Sequence, residues 1–563
     1  MAEPQDASSP AGEAAIEDWP LRPWVLAAWL GLAGLLIHFL SDNAETDPAR
    51  MAATALVFFG AIALAFTFDP QKWREPAIFA GVAGLVMAGI AWRATNAGDH
   101  YSDEGFWIGA GIIAVTLALP LFQAGFHRSR FATPYERVHY HVWSDAISAA
   151  GSLAFTGISW ALLALLANLF DLIGIDLLMD AIDEEWFGWT FSGAAFGAAL
   201  GTLRNELKIL GAMQNVVMLV LSLLAVPLAL ALVIFLAALL LSGLQVLWDA
   251  TESPTPMLLA CAVGAFVLAN TILRDSEEQM RKSWILRVTA LILALSILPL
   301  VGFAAISMGT RVAQHGLSPE RIWAMIAIAV ACAYGLAYWV AAARGRKAAW
   351  AARLREANLH LAAAISVIAF VLALPILDFG AVSARNQIAR LEAGTVSAEE
   401  FDYAALRWDF GDAGRAALKR LTQGSDEDVA ERAQLAIEQT ERPYGFARGV
   451  RIEEDYNLVV RPGDPKLRAQ LLAWLKEQQY ACRERCLAID LGLGVDGRRE
   501  VALLENYGSR LLAIPAGDGQ EIAEVRPPQE TGGPLEESSD VEVREIAKRY
   551  VFIDGKPLPQ PLD

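Results

Sequence analysis

The sequence predicts a polytopic α-helical membrane protein of about eleven transmembrane helices with a C-terminal soluble α+β domain. Three observations lead there. Apolar residues make up 55% of the 563 and charged residues only 19%, too apolar a balance for a soluble chain of this length. The charges are also uneven. Residues 1–384 hold 21 Lys/Arg and 30 Asp/Glu, whereas the much shorter 385–563 holds 24 and 33. Finally, the first part contains repeated apolar stretches near the roughly 20 residues that a helix needs to cross a bilayer.

The candidate spans are 23–40, 51–67, 77–92, 106–126, 148–170, 187–203, 215–242, 256–273, 284–307, 322–342 and 361–378. The sixth, FGWTFSGAAFGAALGTL, is short and rich in Gly, Ala and Ser, so a re-entrant segment competes with a full crossing. Loop charge favours the crossing, because Lys and Arg are retained on the cytoplasmic side. With eleven spans and the N-terminus inside, cytoplasmic segments carry 17 Lys/Arg. The outer loops keep only Arg50, Arg93, Arg311 and Arg321. Small residues also suit a helix that packs closely against another in lipid. An odd number of spans places the tail outside, in the periplasm of a bacterium.

Four regions follow. Residues 1–22 form an acidic, Ala/Pro/Ser-rich leader without the basic start of a signal peptide, expected to be a disordered cytoplasmic tail. Residues 23–384 form the membrane body. Residues 385–447 are expected to be a helical periplasmic segment and 448–563 a small α+β periplasmic domain. In the helical segment, Ser397-Ala-Glu-Glu400 has the form of a capping box, Asp412 stands before GRAALKRL, and Ser425-Asp-Glu-Asp opens VAERAQLAIEQ with acids in its first turn. RPYGFARGVRIEEDYNLVVRPGD reads as a linker. Asp464-Pro465 starts a further helix, with proline at its first position. Short apolar runs (CLAIDL, EVALLEN, RLLAIP, RYVFID) then suggest strands, with PPQETGGPLEESS as a loop.

CRERCLAIDLGLGVDG, residues 482–497, combines two cysteines with a G-x-G-x-x-G match. A dinucleotide loop needs a strand, the glycine turn, a helix and a later acid. Too little chain follows for a doubly wound sheet, and a hairpin turned by Val-Asp-Gly fits better. Asp490, Asp496 and Glu500 lack the order of a calcium loop. Outside the membrane, Cys482 and Cys486 are expected to form a local disulfide between a helix end and a strand start. Free thiols, redox chemistry and metal binding are the alternatives. Cys261 and Cys332 lie in spans as packing residues.

Ionisable and polar groups within spans are functional suspects. Here they cluster at helix ends: His38, Asn168 and Asp171, Gln214 and Asn215, Asn270, and Asp378. Asn168 and Asp171 with the 187–203 helix are the candidate polar site within the membrane. His127, His139 and His141 lie in FHRSRFATPYERVHYHVWSD, read as a cytoplasmic loop. They are a candidate cluster for a metal, against the simpler reading of aromatic and basic residues at an interface. The basic 344–360 segment is a partly helical connector expected to touch anionic headgroups. No P-loop, H-E-x-x-H or Ser/His/Asp order is present, and no cofactor is expected. Both parts of the chain are net negative, which argues against nucleic acid.

PYERVHYHVWSDAISAAGSLAFTGISWALLALLANLFDLIGI, FLAALLLSGLQVLWDATESPTPMLL and ARLEAGTVSAEEFDYAALRWDFGDAGRAALKRL together resemble a bacterial integral-membrane family known as domain of unknown function 4153, over roughly residues 20–440. The resemblance implies a polytopic bacterial membrane protein and no particular activity. The expected function is a non-enzymatic inner-membrane protein presenting a periplasmic domain to a partner, lipid or wall component. The alternative is a transporter or lipid-handling protein with a path through the helical body.

Overall fold

The computed structural model describes residues 19–42, 44, 46–243, 254–280, 282–442, 457–477, 482, 485–493, 498–505, 508–514, 522–525, 552–553 and 556–557. Most of the leader, residues 443–456 of the expected linker, the Val-Asp-Gly turn and the PPQETGGPLEESS segment lie outside these residues; the rest of the expected linker holds a strand, Asn457–Arg461. The chain divides into two compact units, Met1–Ser383 and Ala384–Asp563.

The first unit is helical: α1 (Arg22–Ser41), α2 (Pro48–Thr67), α3 (Arg74–Ala97), α4 (Glu104–Gln123), the short α5 (Phe126–Ser129), α6 (Tyr135–Asp171), the short α7 (Leu177–Asp183), α8 (Glu185–Asn205), α9 (Leu207–Ser242), α10 (Thr255–Leu273), α11 (Trp284–His315) and α12 (Pro319–Ala373). α13 (Phe379–Glu392) runs across the division. Local sequence sets several starts. Asp47 accepts hydrogen bonds from the Ala49 and Arg50 N–H groups ahead of Pro48, and Ser318 accepts one from Arg321 N–H ahead of Pro319. Pro120, Pro227 and Pro299 sit inside α4, α9 and α11, as membrane helices tolerate.

Among the described residues, ten helical stretches are long and apolar enough to cross a membrane. α12 supplies two of them, Pro319–Gly345 and Ala349–Ala373. Although helical throughout, α12 folds back on itself. A Cβ at Gly345 would lie 2.3 Å from Trp350 Cα, whereas five residues of straight helix rise about 7.5 Å. The glycine permits that approach.

α8 falls outside the ten, because its Gly, Ser and Thr content makes it less apolar. It nevertheless runs along α1 at backbone contact. A Cβ at Gly193 would stand 2.2 Å from Leu30 O, one at Gly197 2.2 Å from Leu26 O, and one at Gly201 2.5 Å from Pro23 Cα. From the other side, a Cβ at Gly34 would stand 2.3 Å from Trp189 O. Residue numbers fall along α1 as they rise along α8, so the two are antiparallel over roughly three turns. The small-residue face anticipated for 187–203 is the face that meets α1.

A second cluster of helices packs α9, α10, α11 and the first arm of α12 around Leu258, Ile272, Leu293, Ile297, Leu300 and Tyr338. Two sequence expectations change here. The expected loop of residues 126–145 is helix from Tyr135 onward. The 344–360 segment turns within a few residues and continues as the second arm, so part of it packs inward.

In the second unit, α14 (Gly411–Leu421) and α15 (Glu427–Glu438) pack with the last turns of α13 and a π-helical turn, Ala405–Asp409, around Phe401, Tyr403, Leu406 and Phe410. A Cβ at Gly414 would meet Leu406 O at 2.4 Å, so this contact requires glycine. Asp426 caps α15 by accepting from Val429 N–H. Ser397 accepts from Glu400 N–H, but within a turn and not a helix. Asp412 lies inside the first turn of α14 and pairs with Arg415 at 2.7 Å instead of capping.

The sheet runs β1 (Asn457–Arg461), β2 (Arg485–Leu493), β3 (Arg499–Glu505), β4 (Gly508–Ile514) and β5 (Ala523–Val525) in sequential order. β1 and β2 are parallel, with α16 (Pro465–Glu477) between them in sequence, and the remaining pairs are antiparallel. β1–α16–β2 is therefore a βαβ unit followed by a meander, a unit that the strand patterns did not disclose. Its core joins Leu467, Leu471 and Leu475 of α16 to Leu458, Ala488, Val501, Leu503 and Leu512. A two-stranded ribbon, β6 (Phe552–Ile553) and β7 (Lys556–Pro557), stands apart from this sheet.

Candidate functional site

Polar side chains of the helical unit gather in three places. The first joins four helices. Asn270, near the end of α10, donates to Tyr338 Oη (3.0 Å); Tyr338 donates to Asn358 Oδ1 (2.7 Å); Asn358 Nδ2 donates back to Asn270 Oδ1 (2.8 Å). The ring closes across both arms of α12. Asn358 Nδ2 also reaches Tyr135 Oη at the head of α6 (3.3 Å), and Tyr135 lies 3.5 Å from His139 Nδ1. Beside it, Arg355 reaches the end of α10. It donates to the carbonyls of Leu273 (2.7 Å), Arg274 (3.1 Å) and Ser276 (3.0 Å), and to Glu277 Oε1 (3.0 Å). A cation on the last carbonyls of a helix satisfies open acceptors and opposes the helix dipole. Arg274 in turn donates to Asn215 Oδ1 (2.9 Å) on α9.

The second group lies where α1, α2, α4, α6 and α8 meet. Arg204 donates to Ala65 O (2.6 Å), Gln123 Nε2 to Phe66 O (2.8 Å) and to Asp145 Oδ1 (3.3 Å). Arg22 donates to Arg204 O (2.9 Å) and Asn205 to Trp19 O (2.7 Å).

The third group lies at the opposite ends of its helices. Asp103 accepts from Trp323 Nε1 (3.2 Å) and, through Oδ2, from the Phe379 N–H that opens α13 (3.2 Å). Burial pushes its carboxyl up to about 6; Asp378 and Glu104 push the same way, against the two N–H donors. Arg93 covers the Trp107 ring with its guanidinium 3.2 Å from the centroid, and donates to Ala373 O (3.1 Å).

In the second unit Arg499 of β3 holds both Asp490 (2.7 Å) and Asp464 (2.8 Å). Asp464 caps α16 through Lys466 and Leu467 N–H. Hydrogen bonding to Arg499 holds both carboxyls below the usual range.

The residues singled out in the sequence are dispersed. Asn168 is exposed and donates to Ala164 O of its own helix (2.7 Å), and Asp171 is exposed at the end of α6. His127 stacks on Phe122 and lies 3.5 Å from Glu75; His139 meets Tyr135 and Trp143; His141 meets Tyr140. On a helix His139 and His141 point apart. Among the described residues no three His, Cys, Asp or Glu side chains group as a metal site. In the 344–360 segment Arg344 and Arg353 are exposed, whereas Arg355 is buried against the end of α10. Cys482 and Cys486 stand at bonding distance (Sγ–Sγ 2.17 Å, Cα–Cα 5.4 Å). The glycine stretch after them leaves β2, which pairs antiparallel with β3. The strand–turn–helix of a dinucleotide loop is therefore not formed, and Asp490 is engaged by Arg499.

Sequence reading passed over Tyr338, Asn358, Asp103 and Arg355. Asn358 and Arg355 fall in a stretch that reads as a connector between spans, where polarity carries no signal. Tyr338 sits among aromatic residues common to any span.

No curated protein and no solved structure matches the chain. The family model described as Domain of unknown function (DUF4153) matches residues 25–421, most of the helical unit and the start of the second. With that share of its length matched, this chain belongs to the DUF4153 family.

Proposed function

We propose that this is a non-enzymatic protein of the bacterial inner membrane, whose helical body anchors a periplasmic unit that engages a lipid, protein or wall component of the envelope. The observation that carries this reading is how the body uses its polar groups. Asn270, Tyr338 and Asn358 close a ring on one another. Arg355, Arg204 and Arg93 are spent on helix-end carbonyls. Such groups brace a scaffold; a transport path needs them facing a cavity or ordered as a relay.

The orientation rests on sorting. Arg22, Lys72, Arg128, Arg204, Arg274 and Arg355 belong to segments that loop charge places inside, whereas Arg93, Asp103 and Asp378 belong to segments placed outside. The hydrogen-bonded groups respect that division: Arg22 meets Arg204, Arg274 meets Arg355, and Asp103 meets Phe379. The antiparallel run of α8 along α1 supports counting α8 as an eleventh crossing, and an odd count goes with residues 385–563 lying outside.

Alkaline phosphatase fused after residue 390 tests this orientation and should be active, while a fusion after residue 350 should be inactive. The reverse pattern overturns it. Purification with native lipids, followed by mass spectrometry, tests the role. A retained lipid or envelope protein released by removing residues 385–563 supports presentation. A small solute retained by the body alone supports transport instead.

A further inference from the structure

Asp145 is a carboxyl on α6 whose Oδ1 accepts a hydrogen bond from Gln123 Nε2 on α4 (3.3 Å). Its other oxygen, Oδ2, is buried without a hydrogen-bond partner, and so is the Oε1 of the same Gln123. Two buried acceptors on one pair of side chains are left without a donor. Buried polar groups in native structures are overwhelmingly paired, because an unpaired one has given up its water without a replacement. A single proton resolves both. A protonated Oδ2 donates to Gln123 Oε1 while Gln123 Nε2 donates to Oδ1, closing an acid–amide ring.

We propose that Asp145 and Gln123 form a proton-binding site, in which Asp145 carries a proton at neutral pH and shares it with the Gln123 carbonyl oxygen. The ligand is the proton itself, taken from and returned to water at the end of the bundle where Arg22 and Arg204 lie. The neighbouring charges are few. From α8, Arg204 exerts its field on Asp145, yet its Nη1 donates to Ala65 O and it makes no ion pair with the carboxylate. From α1, Arg22 donates to the Arg204 carbonyl. Asp69, beyond α2, acts on Arg204, and α6 itself adds Tyr140 and His141. α4 contributes the neutral Gln123.

The site also has a second state. Loss of the proton leaves a buried anion whose available counter-charge is Arg204, now engaged in closing the end of α2. Deprotonation therefore sets Asp145 and the Ala65 carbonyl in competition for one guanidinium. This inference stands apart from the proposed envelope role, since it concerns only the body.

Infrared spectroscopy of the full chain in lipid nanodiscs tests it. At neutral pH the unmodified protein should show a protonated-carboxyl C=O band that shifts in D2O. Asp145→Asn, which copies the neutral acid in shape and retains both ring hydrogen bonds, should fold normally and lack that band. Asp145→Glu should keep a protonated-carboxyl band at a shifted frequency. A band unchanged in Asp145→Asn, or its absence from the unmodified protein, overturns the proposal. So does an Asp145→Asn protein that fails to fold while Asp145→Glu folds with only ionised carboxylate, because an ionised Asp145 paired with Arg204 would then be the native state.

Discussion

Tyr338 Oη stands 2.7 Å from Asn358 Oδ1, although the two residues are twenty apart in α12. On a straight helix they would be separated by about 30 Å. The bond therefore joins two arms of a helical hairpin and, through Asn270, ties that hairpin to α10.

Tyr338→Phe removes one hydroxyl, taking the Tyr338 donor from Asn358 Oδ1 and one of two acceptors from Asn270 Nδ2. The expected loss is about 1–3 kcal/mol, read as a lower thermal midpoint in detergent. Asn270 retains the Phe266 carbonyl (2.8 Å), which places the loss toward the lower end. A midpoint unchanged in Tyr338→Phe would show that the ring does not brace the arms.

Gly193 and Gly197 bring α8 onto the backbone of α1. Gly197→Val should sharply lower the yield of folded protein, since even a Cβ would stand 2.2 Å from a carbonyl oxygen that cannot move aside cheaply. Gly109→Val is the control, because nothing lies within 4 Å of a Cβ there. Equal yields from the two variants would contradict the close approach.

The proposed crossing of α8 is accessible to labelling. With Glu184→Cys on one side and Asn205→Cys on the other, an impermeant maleimide should modify only the first in intact cells. Modification of both would make the segment re-entrant and bring the tail to the inner side.

Asp103 carries a pH dependence whose sign follows from burial. Its carboxyl is raised from 3.8 to about 6, so the folded chain holds the proton more tightly than the unfolded one. Stability from this group is complete below about pH 3.8, falls as pH rises toward 6, and levels above. Asp103→Asn should flatten thermal unfolding midpoints across that window. A slope equal to that of the unmodified protein would remove Asp103 as its source.

In the second unit, denatured but unreduced full-length protein from the membrane should present two thiols per chain, from Cys261 and Cys332, with Cys482 and Cys486 bonded to each other. Four thiols would place this region in a reducing compartment. Replacing the pair should cost less than the roughly 3 kcal/mol of a fifteen-residue loop, because three residues are enclosed.

Sequence disclosed the apolar spans well, because burial in lipid demands long uninterrupted runs. It also separated the greasy body from the charged tail. It placed a reversal between the spans 322–342 and 361–378, marked by the polar Arg344-Gly-Arg-Lys347, but not its tightness: the chain turns within a few residues at Gly345, where a connector running to residue 360 is expected. The βαβ unit was obscured because β1 is a five-residue strand inside a stretch rich in Arg, Gly and Asp. The polar clusters escaped because their members come from helices far apart in sequence. Asn358 reads as a loop residue until Asn270 and Tyr338 are brought beside it. The histidines misled in the opposite way, being close along the chain and divergent once α6 turns them around its axis.

The pairing of α1 with α8 has a consequence for how the protein is made. Leu30 and Gly193 are separated by 163 positions in the chain. At about 5–20 residues per second, synthesis of that stretch takes roughly 8–30 s. During that interval the face of α1 around Gly31 and Gly34 has no α8 to cover it. α8 is also the long helix least able to enter lipid on its own apolarity. α1 emerges as a waiting partner, and α8 as a guest received by a neighbour already in place. Biogenesis of this body is then a matter of timing as well as of hydrophobicity. Slowing translation between residues 41 and 185 should lengthen the exposure of α1, and with it the dependence of the nascent chain on insertion chaperones.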